Sequence, residues 1–170
     1  MLKRMSKQSI YFDTDILLYY FEKGKDLGRH AREVISQAKG MSTNPDITIK
    51  IPLIVIGEFV MKVLEREKTE LIVELLKLLN ELKAEITSPS MKSYEIAFKL
   101  LTKDKYLKPA DALIVAQALD DSTSEWLITT DSDLHENIVI HEIKEKLGSK
   151  LKISDKFSKK TRKIKRRRTK

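Results

Sequence analysis

The sequence predicts an α/β domain whose sheet is mainly parallel and covered by helices on both faces. Three observations predict it. Short β-branched or aromatic stretches occur at residues 9–12, 47–51 and 125–130. Between them lie segments with apolar residues three or four apart, the spacing of amphipathic helices. A late segment, PADALIVAQALDD, is apolar on nearly every side after its first turn, as a buried helix must be. Strands separated by helices call for parallel pairing, which buries both faces of the sheet.

The elements follow in order. Ser9 to Phe12 (SIYF) reads as a strand that ends at Asp13, and DILLYYFEK starts a helix capped by Asp13 or Thr14. Residues 27–39 show helical spacing at Leu27, Ala31, Val34, Ile35 and Ala38, and stop at Gly40. MSTNPD is a loop, and ITIKI at 47–51 alternates as a strand does. Pro52 opens the helix LIVIGEFVMKVLEREK and Thr69 opens TELIVELLKLLNELK, after which AEIT is a short strand. Ser90 caps SMKSYEIAFKLLTKDK, and Pro109 opens the buried helix. EWLITT at 125–130 is a strand, and NIVIHEI at 137–143 is expected to be another.

With 170 residues and 41% apolar content, one folded domain is expected. The absence of cysteine excludes disulfides, thiolate metal sites and cysteine nucleophiles. No stretch approaches the roughly 18 uncharged apolar residues of a membrane span, and no apolar run follows the basic MLKRMSKQSI. A soluble cytoplasmic protein is expected. The net charge of +8 is unevenly spread. Ten of the 33 basic residues fall in 156–170, which hold no acid, so residues 1–155 carry 23 bases against 25 acids. The chain therefore divides into an extension at 1–8, a folded domain at 9–150 and a basic tail at 151–170, expected to be disordered by itself. Lys159, Lys160, Arg162, Lys163, Lys165, Arg166, Arg167 and Arg168 are its candidates for phosphate contact with nucleic acid.

Acids fall where chemistry is expected in a parallel sheet. Ligands bind beyond the carboxyl ends of strands, and Asp13 ends SIYF while Asp131 ends WLITT. Asp15 and Asp133 each stand two residues further on, and Asp111 sits in the first turn of the buried helix. Glu58 lies within the apolar run LIVIGEFV. Each has an ordinary reading: Asp13 as a helix cap, Asp111 as a partner of the helix dipole, Asp131 as the holder of a turn. Taken together, converging carboxylates would need a cation, and hard oxygen donors without cysteine or a histidine pair suit Mg²⁺ or Mn²⁺. The three histidines, His30, His135 and His141, lack ligand spacing. Such a cation supports hydrolysis at phosphorus.

The pieces YFDTDILLYYF, IPLIVIGEFV, KPADALIVAQAL and WLITTDSDL, in this order, resemble the PIN-domain family of VapC-type toxins and related ribonucleases. The resemblance spans about residues 9–143 and makes 9–150 a PIN-like nuclease domain. It implies a three-layer α/β/α sandwich, metal-dependent cleavage of single-stranded RNA, homodimers and, for toxin members, an antitoxin protein. It also implies a catalytic acidic site at Asp13, Glu58, Asp111 and Asp131, with Asp13, Asp111 and Asp131 holding the main metal and Glu58 ligating it or orienting water. Asp133 matches an accessory metal acid, and Thr129 the hydroxyl residue before the last Asp. The family commonly has Asn where Asp15 stands, so Asp15 either joins the metal shell or caps the helix, and the cap is preferred.

Two other readings fit parts of the sequence. The DTD triplet also resembles the Asp-x-Asp motif of haloacid-dehalogenase-like phosphatases, with Asp120–Asp121 as a late acid pair. Leu17 stands where that motif takes Thr or Val, and no basic residue precedes the late pair. The third reading is a catalytically silent PIN-like module that binds RNA through its tail.

Overall fold

The computed structural model describes residues 7–22 and 26–157. The tail residues Lys159 to Arg168, assigned above to nucleic acid, lie outside them. Strand β1 (Gln8–Phe12) leads into α1 (Thr14–Tyr20), and Asp13 is the N-cap. Helix α2 (Asp26–Met41) buries Ala31, Val34, Ile35 and Ala38. Its Gly28 sits so close to the end of α1 that a Cβ would lie 2.3 Å from the Glu22 carbonyl oxygen. Strand β2 (Ile47–Pro52) ends where α3 (Leu53–Glu65) begins, so Pro52 caps the helix rather than opening it. Next come α4 (Glu70–Glu81), β3 (Glu85–Thr87) and α5 (Met91–Lys103), the last capped by a reciprocal Ser90–Ser93 pair. Helix α6 (Pro109–Asp120) has proline in its first turn and seven buried residues, as its all-round apolarity requires. Strand β4 (Ser124–Ile128), the short α7 (Ser132–His135), α8 (Ile138–Lys146) and β5 (Lys152–Ser154) complete the chain.

All five strands are parallel, in the order β3-β2-β1-β4-β5. Right-handed crossovers then place α1 to α4 on one face and α5 to α8 on the other. The packing agrees: α1 lies against α2 and α3, and α5 against α6 and α8. This is the expected three-layer sandwich. The order reverses beside β1, because the chain steps through β2 and β3 towards one edge of the sheet and then returns to β4 and β5 on the other side of β1. That is the switch point where a parallel sheet opens a crevice. Phe12 of β1 is in register with Ile128 of β4. The next residues, Asp13 and Thr129, therefore leave the sheet side by side, and the Asp13 N–H bonds the Ile128 carbonyl at 3.0 Å. Phe12, Ile16, Leu17, Phe59, Ile114, Leu127 and Ile128 form the fully buried core beneath them. Among the described residues no helix is long and apolar enough to cross a membrane.

Two expectations are corrected. NIVIHEI is not a strand. It is most of α8, with Asn137 as cap and its side-chain oxygen accepting the Ile140 N–H at 3.0 Å. A β-branched run favours strands only when a sheet position is free to take it, and here Ile140 and Ile143 are buried three residues apart on a helix instead. The sheet position beside β4 goes to residues 152–154, which had been counted with the basic tail from 151 onward. Leu151 is fully buried, and Phe157 packs edge-on against Trp126 with ring centroids 5.7 Å apart. The folded unit thus runs past residue 150 and includes Phe157.

Candidate active site

At the carboxyl end of the sheet one hydroxyl ties two acids together. The fully buried Thr129 hydroxyl donates to Asp13 Oδ2 at 2.7 Å and accepts the Asp131 N–H at 3.1 Å. The other oxygen of Asp13 accepts the Thr14 N–H at 2.7 Å, which starts α1. Asp13 is 4% exposed. Burial pushes its carboxyl up to about 7, and the charges of Asp15 and Asp111 add to the rise. The bonds from Thr129 and Thr14 oppose the rise without cancelling it. Asp131 in turn accepts the Asp133 N–H at 2.8 Å and so caps α7. The turn-holding role that TTDSD suggested is therefore real, and it leaves Asp133 exposed at the surface.

Thr14 extends the connection to α3. Its hydroxyl donates to Glu58 Oε2 at 2.6 Å, which explains a carboxylate in an otherwise apolar run. The next residue, Phe59, is fully buried and meets Phe21 edge-on at 5.8 Å, fixing the helix on which Glu58 sits. Truncating Phe59 to alanine would cost about 3–5 kcal/mol. Asp15 is not the cap of α1, because Asp13 fills that place. It lies in the first turn instead, 3.9 Å from Lys62 of α3, and its charge is felt by both Asp13 and Asp111.

Asp111 stands in the first turn of α6, half-buried, with the Lys108 ammonium 4.0 Å away. Burial raises its pKa; Lys108 pulls it down, and the charges of Asp131, Glu58 and Asp15 raise it further. Asp111, Asp131 and Asp133 line one cleft of about 260 Å³, together with Asp104, Tyr106, Leu107, Lys108, Leu134 and Asn137. Asp13, Glu58, Asp111 and Asp131 therefore form a single electrostatic neighbourhood, though Asp13 and Glu58 do not line that cleft. Sequence reasoning missed Thr14, Lys108 and Tyr106. The first two were visible as immediate neighbours of Asp13 and of PAD, while nothing in the pattern marked the third.

These donors fit a hard divalent cation in kind: carboxylate oxygens, two of them with raised proton affinity, one of these two beside Lys108. They do not form a finished shell. Among the described residues no group of three acidic or histidine side chains converges as a metal-binding cluster. The histidines meet carbonyl oxygens: His135 Nε2 lies 2.8 Å from that of Thr129, His141 Nε2 2.8 Å from that of His135, and His30 Nε2 2.7 Å from that of Asp155.

The acids at the far end of α6 are differently placed. Asp121 accepts from Lys50 at 2.8 Å, from the Tyr11 hydroxyl at 3.0 Å, and from the Thr123 hydroxyl and amide at 2.6 and 2.9 Å. Burial would raise its pKa, but these donors outweigh it and bring Asp121 down to about 2. Asp120 accepts from Ser90 at 2.5 Å and Ser93 at 2.9 Å, and lies 3.3 Å from Lys92. Far from forming a reactive pair, the two acids hold β1, β2, α5 and α6 together.

A family model described as PIN domain matches residues 10–139. No curated protein is significantly similar in sequence. Among solved structures, VapBC2 of Rickettsia felis bound to a promoter DNA fragment shares 19% identity at TM-score 0.61, covering 89% of this chain and all of that one. VapBC-1 of nontypeable Haemophilus influenzae shares 16% at TM-score 0.58, with 87% and 98% covered. VapC20 of Mycobacterium tuberculosis, a toxin that cleaves the sarcin-ricin loop, shares 14% at TM-score 0.57, with 73% and 91% covered. At these identities the likeness is one of fold.

Proposed function

The chain belongs to the PIN-domain family, and from that premise we propose that it is a divalent-metal-dependent endoribonuclease of single-stranded RNA. It acts either as the toxin of a toxin–antitoxin pair or as an RNA-processing nuclease. The observation that carries this reading is the cleft of Asp111, Asp131 and Asp133, linked through Thr129 to the buried carboxyl of Asp13. In this reading Asp13, Asp111 and Asp131 hold Mg²⁺ or Mn²⁺, with Glu58 and Asp133 beside them. Bound there, the cation supplies Lewis-acid stabilisation for hydrolysis at phosphorus. Thr129 keeps Asp13 and Asp131 at fixed separation. Thr14 fixes Glu58, which orients the attacking water, and Lys108 contacts a phosphate oxygen. The haloacid-dehalogenase alternative falls with the family match, because its late acid pair is consumed by Lys50, Tyr11 and the serines.

Two of the structural neighbours are VapBC pairs, which supports an antitoxin as partner. Leu53, Met61 and Leu64, exposed at helical spacing along α3, offer an apolar stripe that supports a homodimer. The Lys159–Arg168 segment is assigned to RNA phosphates on its charge, and the cytoplasm to the protein as the compartment of its substrate. One observation favours the silent RNA-binding alternative: no three acids are gathered as a ready cation cluster among the described residues.

The test is cleavage of a mixed-sequence single-stranded RNA with Mn²⁺, Mg²⁺ or EDTA, using wild type and Asp111→Asn. Metal-dependent cutting by wild type, reduced about a hundredfold or more in the variant, supports the nuclease. RNA binding by both proteins with cutting by neither gives the silent module instead.

A further inference from the structure

The cleft has an aromatic rim that the acidic site does not require. Tyr106, in the connection between α5 and α6, is 84% exposed and lines the cleft beside Asp111, Asp131 and Asp133. We propose that Tyr106, with Lys105 and Lys108, forms a stacking subsite for an unpaired nucleobase adjoining the cleaved phosphodiester. The inference deepens the nuclease reading above and rests on it.

The turn that carries the ring is held on both sides. Asp104 Oδ1 accepts the Tyr106 N–H at 2.9 Å, and its Oδ2 accepts the Asn137 side-chain amide at 2.8 Å. Asn137 also caps α8 through the Ile140 N–H. The Asp104 N–H bonds the Leu100 carbonyl at 2.9 Å, continuing α5, and Leu107 is buried directly after Tyr106. The ring therefore projects from a braced turn between a buried leucine and the end of α5. An exposed large aromatic in that position faces water at a hydrophobic cost that a stacked ligand would remove.

Charge selects the ligand. The Lys105 ammonium sits 5.0 Å from the Tyr106 ring centroid, and Lys108 follows two residues later at the edge of Asp111. A nucleotide divides itself to match: its anionic phosphate goes to the lysines, and its neutral flat base lies on the ring, tolerated by the carboxylates of the cleft. An acidic peptide would instead place its charges against Asp104, Asp111, Asp131 and Asp133. Stacking of this kind needs a base free of pairing, so the subsite favours single strands or loops over duplex.

The experiment measures cleavage kinetics and, in EDTA, anisotropy-detected binding of a fluorescein-labelled single-stranded RNA, for wild type, Tyr106→Ala and Tyr106→Phe. Thermal melts check that the exposed substitution leaves the fold intact. Expected are KM and Kd raised about tenfold in Tyr106→Ala, kcat little changed, and near wild-type values in Tyr106→Phe. One abasic position along the substrate should reproduce the alanine effect and show no further loss in the alanine variant. Unchanged KM and Kd overturn the subsite, as does a phenylalanine variant as poor as alanine, which would make the hydroxyl the active group. If wild type binds but does not cut, the nuclease reading fails, and the binding arm alone decides the subsite.

Discussion

The two ends of α6 are both acidic and both partly buried, yet they are in opposite electrical states. At the C-terminal end Asp121 and Asp120 are met by Lys50, Lys92, three hydroxyls and a tyrosine, and both carboxyls titrate below the ordinary range. At the N-terminal end burial raises the pKa of Asp111, and the charges of Asp131, Glu58 and Asp15 add to the rise against the pull of the Lys108 ammonium. The helix dipole runs against this pattern, since it favours an anion at the N-terminus and opposes one at the C-terminus. Burial pushes both ends upward, and only at the C-terminal end do enough donors surround the carboxylates to overcome it. An acid that the fold surrounds with donors is cementing elements together. An acid left among other acids is waiting for something positive, which separates a candidate catalytic carboxylate from a structural one with no reference to relatives.

The comparison can be broken in four ways, taken from the largest expected effect. Asp111→Asn should lower cleavage about a hundredfold or more, whereas Asp121→Asn should leave kcat within about twofold, because it acts on packing alone. Equal losses at both ends would erase the distinction. In urea denaturation, Lys50→Met should cost about 2 kcal/mol by removing the charged donor to Asp121, which keeps its bonds from Tyr11 and Thr123, while Asp111→Asn should make the metal-free protein slightly more stable. Destabilisation by both substitutions would mean that Asp111 is also a structural acid.

Millimolar Mn²⁺ should raise the melting temperature of wild type and of Lys50→Met but not of Asp111→Asn, since only a ligand of the native state stabilises it. The last and most gradual effect is the pH slope. Asp13 binds a proton more tightly folded than unfolded, so metal-free stability should fall as pH rises from about 4 towards 7. Asp121 binds one more weakly, so its contribution is present above about 4 and is lost as pH falls through about 2. Asp13→Asn should flatten the first slope and leave the second intact, as read by melts across that range.

How much of this was legible depends on how local each cause is. Asp13 and Asp131 could be found because a carboxylate directly after an apolar strand lands at the same edge of any parallel sheet. Asp111 was marked by the proline two residues before it. Glu58 was noticed as an acid out of place, though its bond to Thr14 spans 44 residues and needed coordinates. The α8 segment reads differently in sequence and structure because its isoleucines and valine suit either state, and the sheet position beside β4 is filled by β5 instead. Tyr106 carried no signal, since exposure and a hydrogen-bonded turn are properties of the folded chain.

The contrast between α6 and the turn before it has a consequence in time. Residues 114–119 of α6 are all buried, so their amides can exchange with solvent hydrogen only when the domain opens as a whole. The Tyr106 turn is exposed and held by side-chain bonds at a helix junction, so its amides should exchange through small local openings. The body of the helix that carries Asp111 is then as slow to move as the fold itself, while the rim of the cleft can adjust to each passing strand many times before that helix yields once.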